Sequence, residues 1–214
     1  MSHRIGIVDY QRGNLRSVQK ALEKAGADAR LITAPAEFAG VAGLVVPGVG
    51  SFGDCSETLE RTGLREPILE WLRSGRPYLG ICLGYQLLFE SSEESPGVRG
   101  LGFLPGRVVR FPDSVGKVPH MGWNSLEFAE PRDPLYAGLS ASDQAYFVHS
   151  YYPRPANPET VSAWCDYGGK FAASIGQANV RGVQFHPEKS QAVGQKILRN
   201  FLDSVEEGTS KSAE

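Results

Sequence analysis

One cysteine lies between two glycines in Gly80-Ile81-Cys82-Leu83-Gly84-Tyr85-Gln86, and this is where the chain could do covalent chemistry. The residues ahead of it, Pro77-Tyr78-Leu79-Gly80-Ile81, are short, apolar and bounded by turn formers, which predicts a buried strand. After it, Leu83, Gln86, Leu87 and Glu90 recur at helical spacing. Cys82 is therefore expected on a sharp strand-to-helix turn, the construction that presents the serine in G-x-S-x-G motifs, with glycines permitting the tight backbone. A helix N-terminus behind the sulfur would favour a thiolate. The backbone N–H of Leu83 would be available to an oxyanion. A buried structural cysteine fits the same short motif, since free cysteine is among the most buried residue types.

A cysteine nucleophile needs a base, and the base needs a group to orient it. Both are found together far downstream, in Val183-Gln184-Phe185-His186-Pro187-Glu188. Pro187 disfavours a helical His186, so the stretch is expected to be extended, which would put His186 and Glu188 on one face. Glu188 could then accept from one imidazole nitrogen while the other points to Cys82. Taken alone, His-Pro-Glu would suit a capping or core histidine; with Cys82 in the same chain, a catalytic pair is the better reading. His149 is the competing base, but no acidic residue lies near it in sequence. His120 and His3 are expected to be structural or exposed.

These groups must be positioned by a regular scaffold. Arg4 to Tyr10 reads as a first strand. Asn14 to Ala25 reads as a helix with an apolar stripe of Leu15, Val18, Ala21, Leu22 and Ala25, closed by Gly26. Ala29–Thr33 and Gly43–Pro47 are further strands, the latter ending in the glycine loop 48–50, and residues 54–73 are rich in helix. This alternation predicts an α/β fold: a parallel sheet with helices on both faces. From Gly97 to Gln184 shorter strands and turns predict added antiparallel strands, and Gln191–Val205 is a last amphipathic helix. Residues 1–205 are expected to form one domain and 206–214 a polar disordered tail.

The 214 residues can bury a sizeable core. With 22 basic and 24 acidic residues the net charge is −2, which gives no reason to expect a nucleic-acid or membrane partner. No apolar run approaches the roughly 20 residues that span a bilayer. Met1-Ser2-His3-Arg4 leads straight into the first strand, which predicts no signal peptide. Cys55, Cys82 and Cys165 lack metal-ligand spacing, so they are read as reduced thiols in a cytoplasmic protein with no metal or cofactor, Cys55 and Cys165 being structural.

The set G-I-C-L-G-Y-Q at 80–86 and F-H-P-E at 185–188 resembles the class I (triad) glutamine amidotransferases. D-Y-Q-R-G-N-L at 9–15, P-G-V-G-S-F at 47–52, V-P-H-M-G-W-N at 118–124, Y-F-V-H-S-Y-Y at 146–152 and H-P-E-K-S at 186–190 narrow this to the glutaminase subunits of imidazole glycerol phosphate synthases. The motifs run in order from about residue 4 to about residue 203. The resemblance implies a flavodoxin-like, mostly parallel mixed sheet flanked by helices. It also implies hydrolysis of glutamine through a Cys82 thioester, with His186 moving protons and Glu188 holding the imidazole. The loop Gly48-Val49-Gly50-Ser51 would supply the second oxyanion donor, the Val49–Gly50 peptide being favoured; a plain glycine turn is the alternative. Gln86 and His149-Ser150-Tyr151 would bind the backbone of the substrate glutamine. Two residues depart from the family pattern, Gln11 where glycine is usual and Tyr85 where methionine is common; the first could alter the opening loop and the second the packing beside the substrate.

Ammonia released in water is lost, so the resemblance further implies a heterodimer with a (β/α)8-barrel cyclase subunit that consumes it in histidine biosynthesis. Asn14, Pro119, Met121, Trp123, Tyr146 and Lys189 are the candidate interface, Trp and Met being enriched at such surfaces; Met121 and Trp123 could equally be core. Three other readings compete. An amidotransferase subunit of another pathway (anthranilate, aminodeoxychorismate or pyridoxal phosphate) is disfavoured by P-G-V-G-S-F and P-H-M-G-W-N. A stand-alone cysteine hydrolase, such as a γ-glutamyl hydrolase, would work without a partner. A non-catalytic binding subunit would have no reason to keep Cys82, His186 and Glu188 together.

Overall fold

The strands Gly43–Gly48 and Tyr78–Cys82 are buried on both sides, and the fold follows from covering both. The computed structural model describes residues 4–10 and 14–211; Gln11, His3 and the last three residues lie outside them. The first half alternates β1 (Arg4–Val8), α1 (Leu15–Ala25), β2 (Asp28–Ile32), β3 (Gly43–Gly48), α2 (Phe52–Arg61), α3 (Arg65–Arg73), β4 (Tyr78–Cys82) and α4 (Leu83–Gln86). β3 and β4 are buried along their whole length, as expected for central strands of a parallel sheet. Val45, Leu79 and Ile81 join one core cluster with Val18 and Leu22 of α1, while Leu44, Val46 and Tyr78 join another with Leu59 of α2 and Ile68 and Leu72 of α3.

The second half adds β5 (Ser91–Ser92), β6 (Gly106–Arg110), β7 (His120–Ser125), β8 (Glu127–Phe128), β9 (Gln144–His149), β10 (Tyr151–Pro155), β11 (Val161–Asp166), β12 (Lys170–Gln177), β13 (Val180–Val183) and α5 (Gln191–Lys211). The main sheet has eight strands in the order β2-β1-β3-β4-β13-β12-β11-β8. β2 through β13 in that order run parallel, and β12, β11 and β8 extend the sheet antiparallel. A three-stranded sheet, β10-β6-β5, and a ribbon, β7-β9, stand apart from it. α1 and α5 cover one face together.

Two expectations are corrected. The helix after Cys82 is a single turn rather than a run to Glu90, because the N–H groups of Leu101, Leu104, Gly102 and Gly100 take the carbonyls of Leu87, Leu88, Phe89 and Glu90. Its macrodipole is correspondingly small. At the other end, α5 runs past Val205 to Lys211, into the stretch expected as a tail. Extending an existing helix adds a hydrogen bond per residue without a new nucleus, so the packed turn Phe201–Val205 can carry a polar continuation.

Register places the carboxyl ends of three strands side by side. Gly48 of β3 is opposite Cys82 of β4, and Val183 of β13 is opposite Ile81. The loop after Gly48 and the segment after Val183 therefore flank Cys82, where open α/β sheets bind ligands. The turn fits only because of its glycines. A Cβ on Gly84 would overlap the Val46 carbonyl, and one on Gly80 would lie 2.6 Å from the Gly84 oxygen. Gly84→Ala is thus expected to lower stability in urea unfolding by about 1–3 kcal/mol or more, the cost of overpacking a close backbone contact; an unchanged midpoint would show that the turn does not press on β3.

Candidate active site

Cys82 ends β4 with φ 53° and ψ −104°, a left-handed backbone rare for a residue with a side chain. The residue is 8% exposed, whereas Cys55 and Cys165 are closed off from solvent. It opens into a cavity of about 410 Å³ lined by Val49, Gly50, Cys82, Leu83, Gln86, Glu94, Pro119, Val148, His149, Ser150, Tyr151, His186 and Lys189. Leu83 begins the single turn α4, so its N–H has no acceptor within the helix. On the opposite wall, Gly50 has φ 108°, which favours glycine. The Val49 carbonyl accepts from the buried Cys55 thiol at 3.7 Å. In a trans peptide the following N–H points the opposite way, so the Gly50 N–H is directed away from Cys55.

His186 is extended, at φ −107° and ψ 96°, but Pro187–Lys189 forms a tight 3₁₀ turn rather than continuing the extended chain. Pro187 suits the first position of such a turn, and the N–H groups of Lys189 and Ser190 close it onto the carbonyls of His186 and Pro187. The turn still delivers the expected pair, with Nδ1 of His186 2.8 Å from Oε1 of Glu188 and both side chains buried. Nε2 of His186 is buried and makes no hydrogen bond of ordinary geometry, but the ring lies close enough to the Cys82 sulfur to be influenced by it. Burial alone would disfavour the imidazolium; the adjacent Cys82 sulfur and Glu188 carboxylate outweigh it and raise His186 to about 10.

His149 lies in the same cavity but in a different environment. Its Nδ1 is 2.9 Å from the Tyr151 carbonyl, its Nε2 is 3.1 Å from His120 Nδ1, and His120 Nε2 is 3.3 Å from Asn124 Nδ2, which also donates to the Asp166 carbonyl. A carbonyl can only accept, so the chain has one assignment for neutral rings: Asn124 donates to His120, His120 to His149, and His149 to Tyr151. Burial lowers His149 to about 3 and His120 to about 4. Both His149 nitrogens are engaged and no described carboxylate pairs with it, whereas His186 has Glu188 on one nitrogen and no hydrogen bond of ordinary geometry on the other.

The remaining expected residues divide clearly. Ser150, Tyr151 and Pro119 line the cavity. Gln86 lines it too, but its Nε2 donates to the Tyr151 carbonyl at 3.0 Å and to Gln184 Oε1 at 3.1 Å, so its donors brace the wall. Met121 and Trp123 are 58% and 43% exposed, unlike core residues. Trp123 stands edge-on to the Tyr146 ring, and Lys189 Nζ lies 5.8 Å from that ring. Asn14 is exposed at the start of α1, the helix that adjoins the Pro187–Lys189 turn. Tyr85 is fully buried beneath the sheet, its hydroxyl on the Ala172 carbonyl and its ring filling the space above Gly182, so it is core and not a cavity residue.

The chain matches the glutamine amidotransferase class-I family over residues 6–205. It is 52% identical to the imidazole glycerol phosphate synthase subunit HisH of Syntrophotalea carbinolica, over 93% of this chain and 99% of that protein. It is 49% identical to the HisH subunit of Desulfitobacterium hafniense, over 98% of each. The chain belongs to the class I glutamine amidotransferases, in the HisH branch. Solved structures share the fold at lower identity: a putative GMP synthase subunit from Thermoplasma acidophilum has a TM-score of 0.77 at 19% identity, covering 100% of this chain and 99% of that one. PurLQS from Thermotoga maritima has a TM-score of 0.74 at 20% identity, covering 98% and 100%.

Two polar groups in this amidotransferase site were missed by sequence reasoning. Gln184 is fully buried and donates to the Cys82 sulfur at 3.6 Å. The extended reading of Val183 to His186 puts it on the same face as His186, two residues on, and could have found it. Glu94 lines the cavity while its Oε2 accepts from the Phe52 N–H at the start of α2, across a sequence distance no local motif spans. Among the described residues no group of three or more His, Cys, Asp or Glu side chains could hold a metal ion, and no helix is long and apolar enough to cross a membrane.

The histidine pair makes stability depend on pH. In the unfolded chain both rings take a proton near about pH 6.5; folded, they refuse it until about pH 4 and about pH 3. Their contribution is therefore full above about pH 6.5 and is lost as pH falls, by up to ~1.4 kcal/mol per pH unit per ring. Urea unfolding between pH 7 and 4 should show a steeper loss for the native chain than for His120→Gln/His149→Gln. Equal slopes would mean that the pair is not held neutral.

Proposed function

We propose that the chain hydrolyses glutamine at Cys82 and passes the ammonia to a cyclase subunit. The observation that carries this reading is a cysteine on a strained strand end beside a buried imidazole that is oriented by a carboxylate. The Cys82 thiolate attacks the carboxamide carbon, and the carbonyl electrons move onto oxygen. When they return, the C–N bond breaks, the departing nitrogen takes the proton from Nε2 of His186, and a glutamyl thioester remains. His186 then removes a proton from water as it attacks, and the C–S bond breaks to give glutamate and the thiolate. Glu188 keeps Nδ1 protonated and steadies the imidazolium. Leu83 N–H and the Gly50 N–H of the Val49–Gly50 peptide are the oxyanion donors, and losing one such donor typically costs about 2.7–4 kcal/mol in the barrier.

Substrate recognition follows from charge. Glu94 is a cavity carboxylate suited to the α-ammonium group of glutamine, and the His149-Ser150-Tyr151 segment, braced by Gln86, offers the facing wall. The HisH relatives are named as subunits of a synthase, which supports a heterodimer with a (β/α)8-barrel cyclase in histidine biosynthesis, in the cytoplasm. Exposed Met121 and Trp123, with Asn14, Pro119, Tyr146 and Lys189, are the proposed interface. The catalytic domain is taken as residues 1–205, with the end of α5 as an appendage.

Glutamate release should be measured for the purified chain alone and with the cyclase and its nucleotide ligand. The expected result is strong stimulation by the partner, with Cys82→Ala inactive in both states and Glu188→Gln reduced by roughly 10²–10⁴-fold. Equal activity with and without the partner would point to a stand-alone hydrolase, and activity surviving in Cys82→Ala would overturn the thioester.

A further inference from the structure

We propose that Gln184 is a positioning residue for the nucleophile, holding the Cys82 sulfur through a donated hydrogen bond and tying it to the wall that carries Tyr151. This rests on the reading of Cys82 as nucleophile. Gln184 directly follows β13, its backbone N–H donates to the Ala173 carbonyl at 2.8 Å, and its side chain is fully buried. A buried amide must spend its polar atoms inside the protein. Here Oε1 accepts from Gln86 Nε2 at 3.1 Å, and Nε2 donates to Cys82 Sγ at 3.6 Å.

The orientation of both amides is fixed by the Tyr151 carbonyl. That oxygen can only accept, so the group of Gln86 facing it is the amine. The same amine faces Gln184, so the Gln184 atom opposite it is the oxygen. The Gln184 amine is left to the sulfur. Turning Gln184 over would set two amines against each other and aim a carbonyl oxygen at a thiolate. Sulfur is a weak acceptor as a thiol and a strong one as a thiolate, because hydrogen bonds to an ionised acceptor are about twice as strong as neutral ones. The bond from Gln184 therefore strengthens in the form of the sulfur that attacks a substrate. Gln184 and His186, two residues apart, both bear on the sulfur, and the linkage Tyr151–Gln86–Gln184–Cys82 makes its position follow that of the substrate wall.

Gln184→Glu is the decisive variant. It nearly preserves shape and keeps an acceptor for Gln86, but replaces the donor to sulfur with an acceptor. Gln184→Met removes the donor without adding charge and stresses the core differently, so either variant that retains the native circular dichroism decides the question. On the purified full chain, iodoacetamide alkylation of Cys82, followed by peptide mass spectrometry at neutral pH, should slow about tenfold or more, the effect of one hydrogen bond to a charged group. With the cyclase subunit, kcat for glutamine should fall by a similar factor while KM changes much less. A merely structural role would leave the alkylation rate of a folded variant unchanged. Native alkylation and kcat in a folded variant, with Cys82→Ala inactive, would overturn this role and spare the nucleophile; activity in Cys82→Ala would instead overturn the reading on which it rests.

Discussion

The closeness of the Cys82 turn to β3 is the constraint on which the rest of the site depends. Gly84 lies so near the Val46 carbonyl that no side chain fits between them, and Gly48 leaves no room for a Cβ beside Tyr10 and Leu83. With the turn pressed against the neighbouring strand, the chain cannot relax Cys82 out of its positive φ. Such a backbone costs on the order of 1–3 kcal/mol and persists only when its surroundings determine it. The return is geometric. The sulfur stands clear of the sheet, the Leu83 N–H is left open, and the loop through Val49 and Gly50 is brought opposite to both.

Two histidine environments divide the work on the other wall. His186 sits between a sulfur and a carboxylate, and its raised pKa suits a group that carries a proton to a leaving amine. His149 and His120 are buried against each other without a counter-charge, so they stay neutral and act as directed hydrogen-bond donors. The same side chain is thus favoured in its charged form or held neutral according to its neighbours. His149 and Gln86 meet on the Tyr151 carbonyl, which makes that one oxygen a junction between the histidine chain and the glutamine amides that lead to Cys82.

Much of this is legible in the sequence because it is local. G-x-C-x-G encodes the turn through its glycines, and His186 and Glu188 are near enough in sequence to pair by either an extended chain or a turn. The parallel half of the sheet follows from the strand and helix alternation up to Cys82. What escapes reading is long-range. The helix after Cys82 stops because residues 100–104 take its carbonyls, and nothing in 83–90 records that. Glu94 reaches the cavity by capping α2, and the His120–His149 pair needs the β7–β9 register that sets those two residues opposite each other. Tyr85 packs under the sheet instead of beside the substrate, and helical spacing alone does not say which face of one turn meets the sheet.

The proposed chemistry stands or falls on a covalent intermediate at Cys82. Rapid acid quenching of the cyclase-bound chain during glutamine turnover, followed by peptide mass spectrometry, tests it directly. A glutamyl adduct on the Cys82 peptide, absent from the Cys55 and Cys165 peptides and accumulating further in a variant slow to deacylate, is expected. Sustained glutamate production with no adduct, or an adduct on another cysteine, would contradict it.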